Sequence, residues 1–140
     1  MDLPRALEFV RARRQGVVVT IRHNGRPQLS NILYVPSDDG SVKISVTDTR
    51  AKTHNLRRDP RASLYVPGDT FWQWVVVEAQ ASLSPVAADP HDDTVDQLVD
   101  YYRAANGEHD DWDGYRAAMV TDRRLVLTLS PERAYGILPD

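Results

Sequence analysis

Leu3, Leu7 and Val10 recur at helical spacing in the opening stretch, behind Asp2 as a cap and Pro4 in the first turn, and the stripe stops before Gly16. That spacing predicts a first helix over about residues 3 to 14. The pattern then turns to β-branched runs, "GVVVTIRHNGRPQLSNILYV" and "SDDGSVKISVT", which flank Asn24-Gly25 and Asp39-Gly40. Both dipeptides tolerate positive φ and favour tight hairpin turns, so three consecutive antiparallel strands are expected.

After Thr47 the period changes again. Asp48 or Thr49 is placed to cap a short helix, and Pro60 disfavours helical geometry at Asp59 and so ends it. "ASLYV" then reads as the fourth strand, "PGD" as a turn and "WQWVVVEAQASLS" as a long fifth strand. In "DPHDDTVDQLVDYYRAANG" Asp89 is the expected cap, Pro90 the first helical residue and Gly107 the stop. "DDWDGYRAAMVTD" predicts a further helix, interrupted by Gly114, and "RRLVLTLSPERAYGIL" returns to strand. Six antiparallel strands with interspersed helices are most economically closed into a small barrel, since closure removes exposed edges. Residues 1–140 read as one domain.

Charge changes the picture at one place. The chain carries a net charge of −3, yet five of its seventeen basic residues fall within Arg50 to Arg61, where the only acid is Asp59. That window is +4 and the remainder −7, so the positive charge is local, which suits a small anion better than nucleic acid or a membrane surface. The first turn of a helix offers unpaired backbone N–H groups and a positive dipole end to an anion. Arg50, Lys52 and Thr53 lie in that turn; Arg50, Thr53 and Arg57 share a face, and Asn55 adds an amide. The competing explanation is an amphipathic helix whose arginines face water.

The chain has no cysteine, which excludes disulfide and thiolate chemistry, and its four histidines show no zinc-like spacing. The stretch "GEHDDWDG" lacks the spacing of a calcium loop, and no metal site is expected. No apolar run is long enough for a signal peptide or a membrane span, so a soluble cytoplasmic protein is expected.

Three blocks, "GRPQLSNILY", "ISVTDTRAKTHNLRRDPRASLYV" and "YRAAMVTDRRLVLTL", resemble the pyridoxamine-phosphate-oxidase-like split-barrel oxidoreductases. The R-A-K-T-x-N-L run looks most like the branch that uses the deazaflavin coenzyme F420 in place of FMN. The resemblance implies a mainly β, six-stranded antiparallel split barrel (the FMN-binding split barrel) with peripheral helices, working as a homodimer with cofactor sites in the interface. It places Arg50, Lys52, Thr53 and Asn55 around the cofactor phosphate, and Gln28, Ser30, Asn31 and Ser45 along the ring system. Strict alternation would turn Asn31 away from Ser30 unless the strand bulges. Trp74 is nominated to enclose the cofactor from the second subunit, although core packing is the ordinary role of such a residue. Tyr101, Tyr102 and Trp112 read as packing residues.

The activity implied is hydride transfer from reduced F420 to an unsaturated or quinone-like small molecule. The chemistry then belongs to the cofactor, with Tyr34, Ser30 or water as the proton source and no protein nucleophile. Arg57, Arg58 and Arg61 are expected either to meet the acidic cofactor tail or to face water. An FMN-dependent oxidase and a non-catalytic F420- or tetrapyrrole-binding module are the alternative readings.

Overall fold

A computed structural model describes residues 1–138. In chain order the elements are α1 (Leu3–Arg11), β1 (Gln15–Ile21), β2 (Pro27–Leu33), β3 (Val35–Pro36), β4 (Val42–Thr47), α2 (Ala51–Arg58), β5 (Arg61–Pro67), β6 (Trp74–Leu83), α3 (Asp93–Asn106), α4 (Trp112–Thr121) and β7 (Arg124–Ile137). All strand pairs are antiparallel, in one seven-stranded sheet of order β2-β1-β5-β6-β7-β4-β3.

The two edge strands of that sheet, β2 and β3, are separated by the single residue Tyr34. The chain therefore leaves one edge and joins the other without a loop, and the sheet curls into a split barrel. Counting β2 and β3 as one strand divided at Tyr34 gives the expected six. Tyr34 is fully buried, its N–H donates to the Arg14 carbonyl (2.8 Å), and its hydroxyl donates to the Val10 carbonyl (2.6 Å). Those bonds pin the split to α1, and burial pushes the phenol well above its ordinary range.

Alternation sorts the side chains. Val18 and Thr20 on β1, Val42, Ile44 and Val46 on β4, and Ala62, Leu64 and Val66 on β5 are buried, while their neighbours are half-exposed. Leu125, Leu127 and Leu129 of β7 complete the interior, and Ala6, Phe9 and Val10 of α1 pack against it. On the outer face of β7, Val126 joins Val95, Leu98 and Val99 of α3 and Met119 of α4 in a second, smaller core. Each fully buried aliphatic side chain contributes about 1.5–3 kcal/mol, so this second core firmly holds the α3–α4 pair against the sheet.

Several boundaries differ from expectation. The first helix stops at Arg11 rather than residue 14, because Gln15 already enters β1. The three early strands are antiparallel as expected, β1 pairing with β2 and β3 with β4, with the middle strand divided at Tyr34. Gly25 (φ 86°) and Gly40 (φ 90°) occupy the positive-φ turn positions that the sequence assigned to them. The cap of α3 is Asp92, whose side chain accepts from the Val95 N–H, and not Asp89; Asp89 and Pro90 lie before the helix. The N-cap of α2 is Arg50, with no side-chain cap bond, rather than Asp48 or Thr49. Gly114 does not break α4: its N–H donates to the side chain of Asp111, which caps the helix. No helix among the described residues is long and apolar enough to cross a membrane.

Candidate functional site

The strand-to-helix passage from β4 to α2 is built by local hydrogen bonds. Asp48 bridges two arginines, with Oδ1 at 2.6 Å from Arg57 and Oδ2 accepting from Arg123 at 2.9 Å. The Arg123 and Arg57 guanidiniums hold its carboxyl below the ordinary value. Thr53 is fully buried and its hydroxyl donates to the Thr47 carbonyl at 2.7 Å, which ties the first turn of α2 to the end of β4.

The basic run divides into two groups. Arg57 pairs with Asp48; Arg58 donates to the Ile21 carbonyl and to Asn55 Oδ1; Arg61 pairs with Asp59 at 2.7 Å and lowers that carboxyl to about 2. These three arginines are engaged in holding α2 and its exit. Arg50 and Lys52 have no ion-pair partner among the described residues.

Lys52 opens into a cleft of about 330 Å³ between β2, β4 and the α3–α4 pair, within the size of small-ligand sites. Asn31 and Leu33 form one side, Ser45 and Arg124 the floor, and Tyr101, Tyr102 and Tyr115 the far wall. Burial, then the Arg50 and Arg124 charges, push the Lys52 amine below its ordinary value. Arg124 Nη1 donates to Ser45 Oγ at 3.4 Å, while its buried Nε has no acceptor. The Tyr101 hydroxyl donates to the Leu33 carbonyl (2.9 Å) and that of Tyr115 to the Leu98 carbonyl (2.8 Å). Burial raises both phenols, Tyr115 to about 12. The cleft thus offers cations, an amide and an aromatic wall, and no carboxylate lines it.

A larger hollow of about 440 Å³ lies on the outer sheet face over β1, β5, β6 and β7. Its charges are balanced, Arg61 and Arg133 against Glu78 and Glu132, so it lacks the unopposed positive potential of the smaller cleft. Among the described residues no three His, Asp or Glu side chains gather where they could hold a metal ion.

The structure brings Asn31, Ser45 and Lys52 together, with Arg50 at the adjoining helix start. Thr53 is turned inward, as above. Asn55 is buried, its amide donating to Thr20 Oγ1 (3.0 Å) and Gln28 Oε1 (3.1 Å), so both Asn55 and Gln28 are bound within the fold. Ser30 lies between Gln28 and Ile32 on the inward face of β2, and Asn31 on the opposite face, because β2 pairs with β1 in unbroken register without a bulge. Trp74 stands at the far end of β6 from the cleft, ten residues from Ser84, whose N–H donates to Val126 opposite Ser45. At the rise of a strand that is about 30 Å, so Trp74 does not reach this cleft within one chain. Tyr34 is no proton donor here: it is sealed in the core on the Val10 carbonyl.

Sequence reasoning missed Arg124 and assigned Tyr101 and Tyr102 to packing. Arg124 sits in the quoted "TDRRLVLTL", but only the β4–β7 register, Thr47 opposite Arg124 and Ser45 opposite Val126, puts it across from the start of α2.

Comparison with known proteins accords with this geometry. Residues 3–137 match the pyridoxamine 5'-phosphate oxidase family, and the chain belongs to it. A conserved hypothetical protein of Mycobacterium tuberculosis superposes with a TM-score of 0.71 at 23% identity, over 96% of this chain and 82% of that one. An F420 reductase superposes at 0.69 with 17% identity, over 91% and 94% of the two chains. A heme storage protein of Vibrio cholerae gives 0.68 at 18% identity, over 97% and 95%. At such identities these likenesses show the shared split barrel, on which different functions are built.

Proposed function

We propose that this protein is a reductase that uses reduced coenzyme F420 to transfer a hydride to an unsaturated or quinone-like small molecule. The observation that carries the reading is the meeting of unopposed cations, Lys52 and Arg124, with a tyrosine-walled cleft at the start of α2. The donor set fits the group. Arg50, Lys52 and the first N–H groups of α2 would hold its phosphate, and Ser45 and Asn31 offer polar contacts to its ring. Bound there, the deazaflavin supplies the hydride, and the protein supplies position. Tyr101, Tyr102 and Tyr115 form a wall that limits water, and an acceptor held between them and the ring would be kept in contact with it. Tyr101 and Tyr115 have raised phenols already committed to backbone carbonyls, so neither is the proton donor in this reading, and water entering the cleft would serve.

The working form in this reading is a homodimer. Leu29, Leu33, Tyr135 and Ile137 are each about half or more exposed, and the sheet register extends that outer face through Val17, Tyr65 and Trp74. A continuous apolar sheet face of this kind favours coverage by another molecule. Because Leu33 also lines the cleft, a second copy on this face would wall the site and is the route by which Trp74 would approach it.

Activity is tested by mixing the protein and reduced F420 with a panel of enones and quinones and following the return of the oxidised cofactor's absorbance. Turnover with at least one acceptor, above the rate without protein, is expected. Saturable cofactor binding with no turnover across the panel would replace the reductase by a carrier.

A further inference from the structure

We propose that Arg124 is a third anion-binding residue of the cleft, acting with Arg50 and Lys52 on an organic phosphate ester. The inference rests on the reading above only for the name of the ligand; the site itself follows from the side chains.

The two adjacent arginines at the start of β7 have opposite fates. Arg123 is held by Asp48 through two hydrogen bonds, on a carboxylate it shares with Arg57. Among the described residues Arg124 has no carboxylate partner, and its one hydrogen bond is the long one to Ser45. Its Nε is buried and without an acceptor. A buried donor left unmade carries a full desolvation penalty, and here the group also faces the like charge of Lys52. An arrangement costly when empty becomes favourable once an anion lies between the two cations, and a guanidinium matches phosphate oxygens with two parallel N–H bonds. The backbone fixes this position. Arg124 pairs with Thr47, and the next outward residue, Val126, pairs with Ser45, so the guanidinium is held on the face from which Lys52 enters. The cleft's other polar groups agree: Asn31 presents an amide, Tyr101 has already spent its proton on Leu33, and no acid competes for Arg124.

The test compares wild type with Arg124→Gln and Arg124→Lys for binding of F420, FMN, riboflavin and inorganic phosphate, and follows the Lys52 amine by NMR titration in the free protein. Arg124→Gln should weaken FMN, F420 and inorganic phosphate at least tenfold and leave riboflavin unchanged, and Arg124→Lys should restore most of the loss. The Lys52 titration should move upward in Arg124→Gln, because a like charge has gone. Unchanged phosphate or FMN affinity would overturn the proposal, as would a parallel loss of riboflavin, which would assign Arg124 to the ring or to packing. If wild type bound neither F420 nor FMN, the reductase reading would fail while inorganic phosphate still judged Arg124. Should Arg124→Gln not fold, the wild-type protein decides: phosphate must shift both the Lys52 and Arg124 side-chain signals, and an unmoved Arg124 Nε refutes the assignment.

Discussion

Replacing Asn55 by alanine probes the joint between α2 and the barrel. Asn55 is buried in the middle of α2 and donates to the fully buried hydroxyl of Thr20 on β1 and to Gln28 on β2, while its carbonyl accepts from Arg58. In Asn55→Ala the Thr20 oxygen loses its one hydrogen-bond partner among the described residues, in a site without exposure to water, a loss of about 1–3 kcal/mol. Gln28 is half-buried and recovers part of its bond from water, so its share is about 1 kcal/mol, and the part-buried contact to the exposed Arg58 side chain adds little. The expected cost is therefore about 2–4 kcal/mol, a large part of the roughly 5–15 kcal/mol available to a domain. In a protein of this size it corresponds to a fall in Tm of about 10 °C. Urea unfolding at constant slope gives the free energy directly. In a Thr20→Val background, the cost of Asn55→Ala should fall by more than about 0.5 kcal/mol, since the partner it abandons is gone. A cost below about 1 kcal/mol, or full additivity with Thr20→Val, would refute the claim that this amide holds helix to sheet.

Three further outcomes follow. Lys52→Ala should weaken cofactor binding at least tenfold, about 1.4 kcal/mol, by isothermal titration. The same change should raise the Tm of the free protein at neutral pH. The folded amine titrates below 10.5, so its charge is a cost at pH 7 that is relieved only as pH climbs through the folded value; a lower Tm would contradict this. Asp48 has the opposite sign: its folded value lies below 3.8, so its contribution is present above that pH and lost as pH falls through the lower folded value. A carboxyl titration by NMR should place its midpoint below 3.8, and Asp48→Asn should flatten the acid arm of the stability curve. Tyr34→Phe should cost about 0.5–1.5 kcal/mol, because the Val10 carbonyl gives up the phenol but keeps the Arg13 N–H at 3.0 Å; an unchanged urea midpoint would mean the split does not depend on that bond.

Much of the fold was legible because its signals are local. Alternation in "VVVTI" and "VKISV", two positive-φ turn glycines and the Pro60 stop specify strands, hairpins and a helix without tertiary information. The caps were harder: Asp89 and Asp92 both suit a helix start, and only the bonds that Asp92 accepts from the N–H groups of Val95, Ala88 and Asp89 choose between them. That Lys52 and Ser45 line one cleft follows from the strand-to-helix passage, which is local, whereas Asn31 joins them only through the position of β2 in the curled sheet. Arg124 was not, since its role depends on the pairing of β4 with β7, almost eighty residues apart in sequence. The excess of arginines was only half legible too: composition gives the charge of the run but not that Asp48 and Asp59 neutralise two of its members.

The central claim, that the cleft at the start of α2 holds a phosphorylated ring cofactor of the deazaflavin type, is tested most directly by titrating the purified protein with F420 and separately with FMN, following ring fluorescence. Saturable binding of F420, tighter than that of FMN and weakened in Lys52→Ala, is the predicted result. Binding of neither would contradict the account and return Arg50 and Lys52 to the role of solvated surface charges.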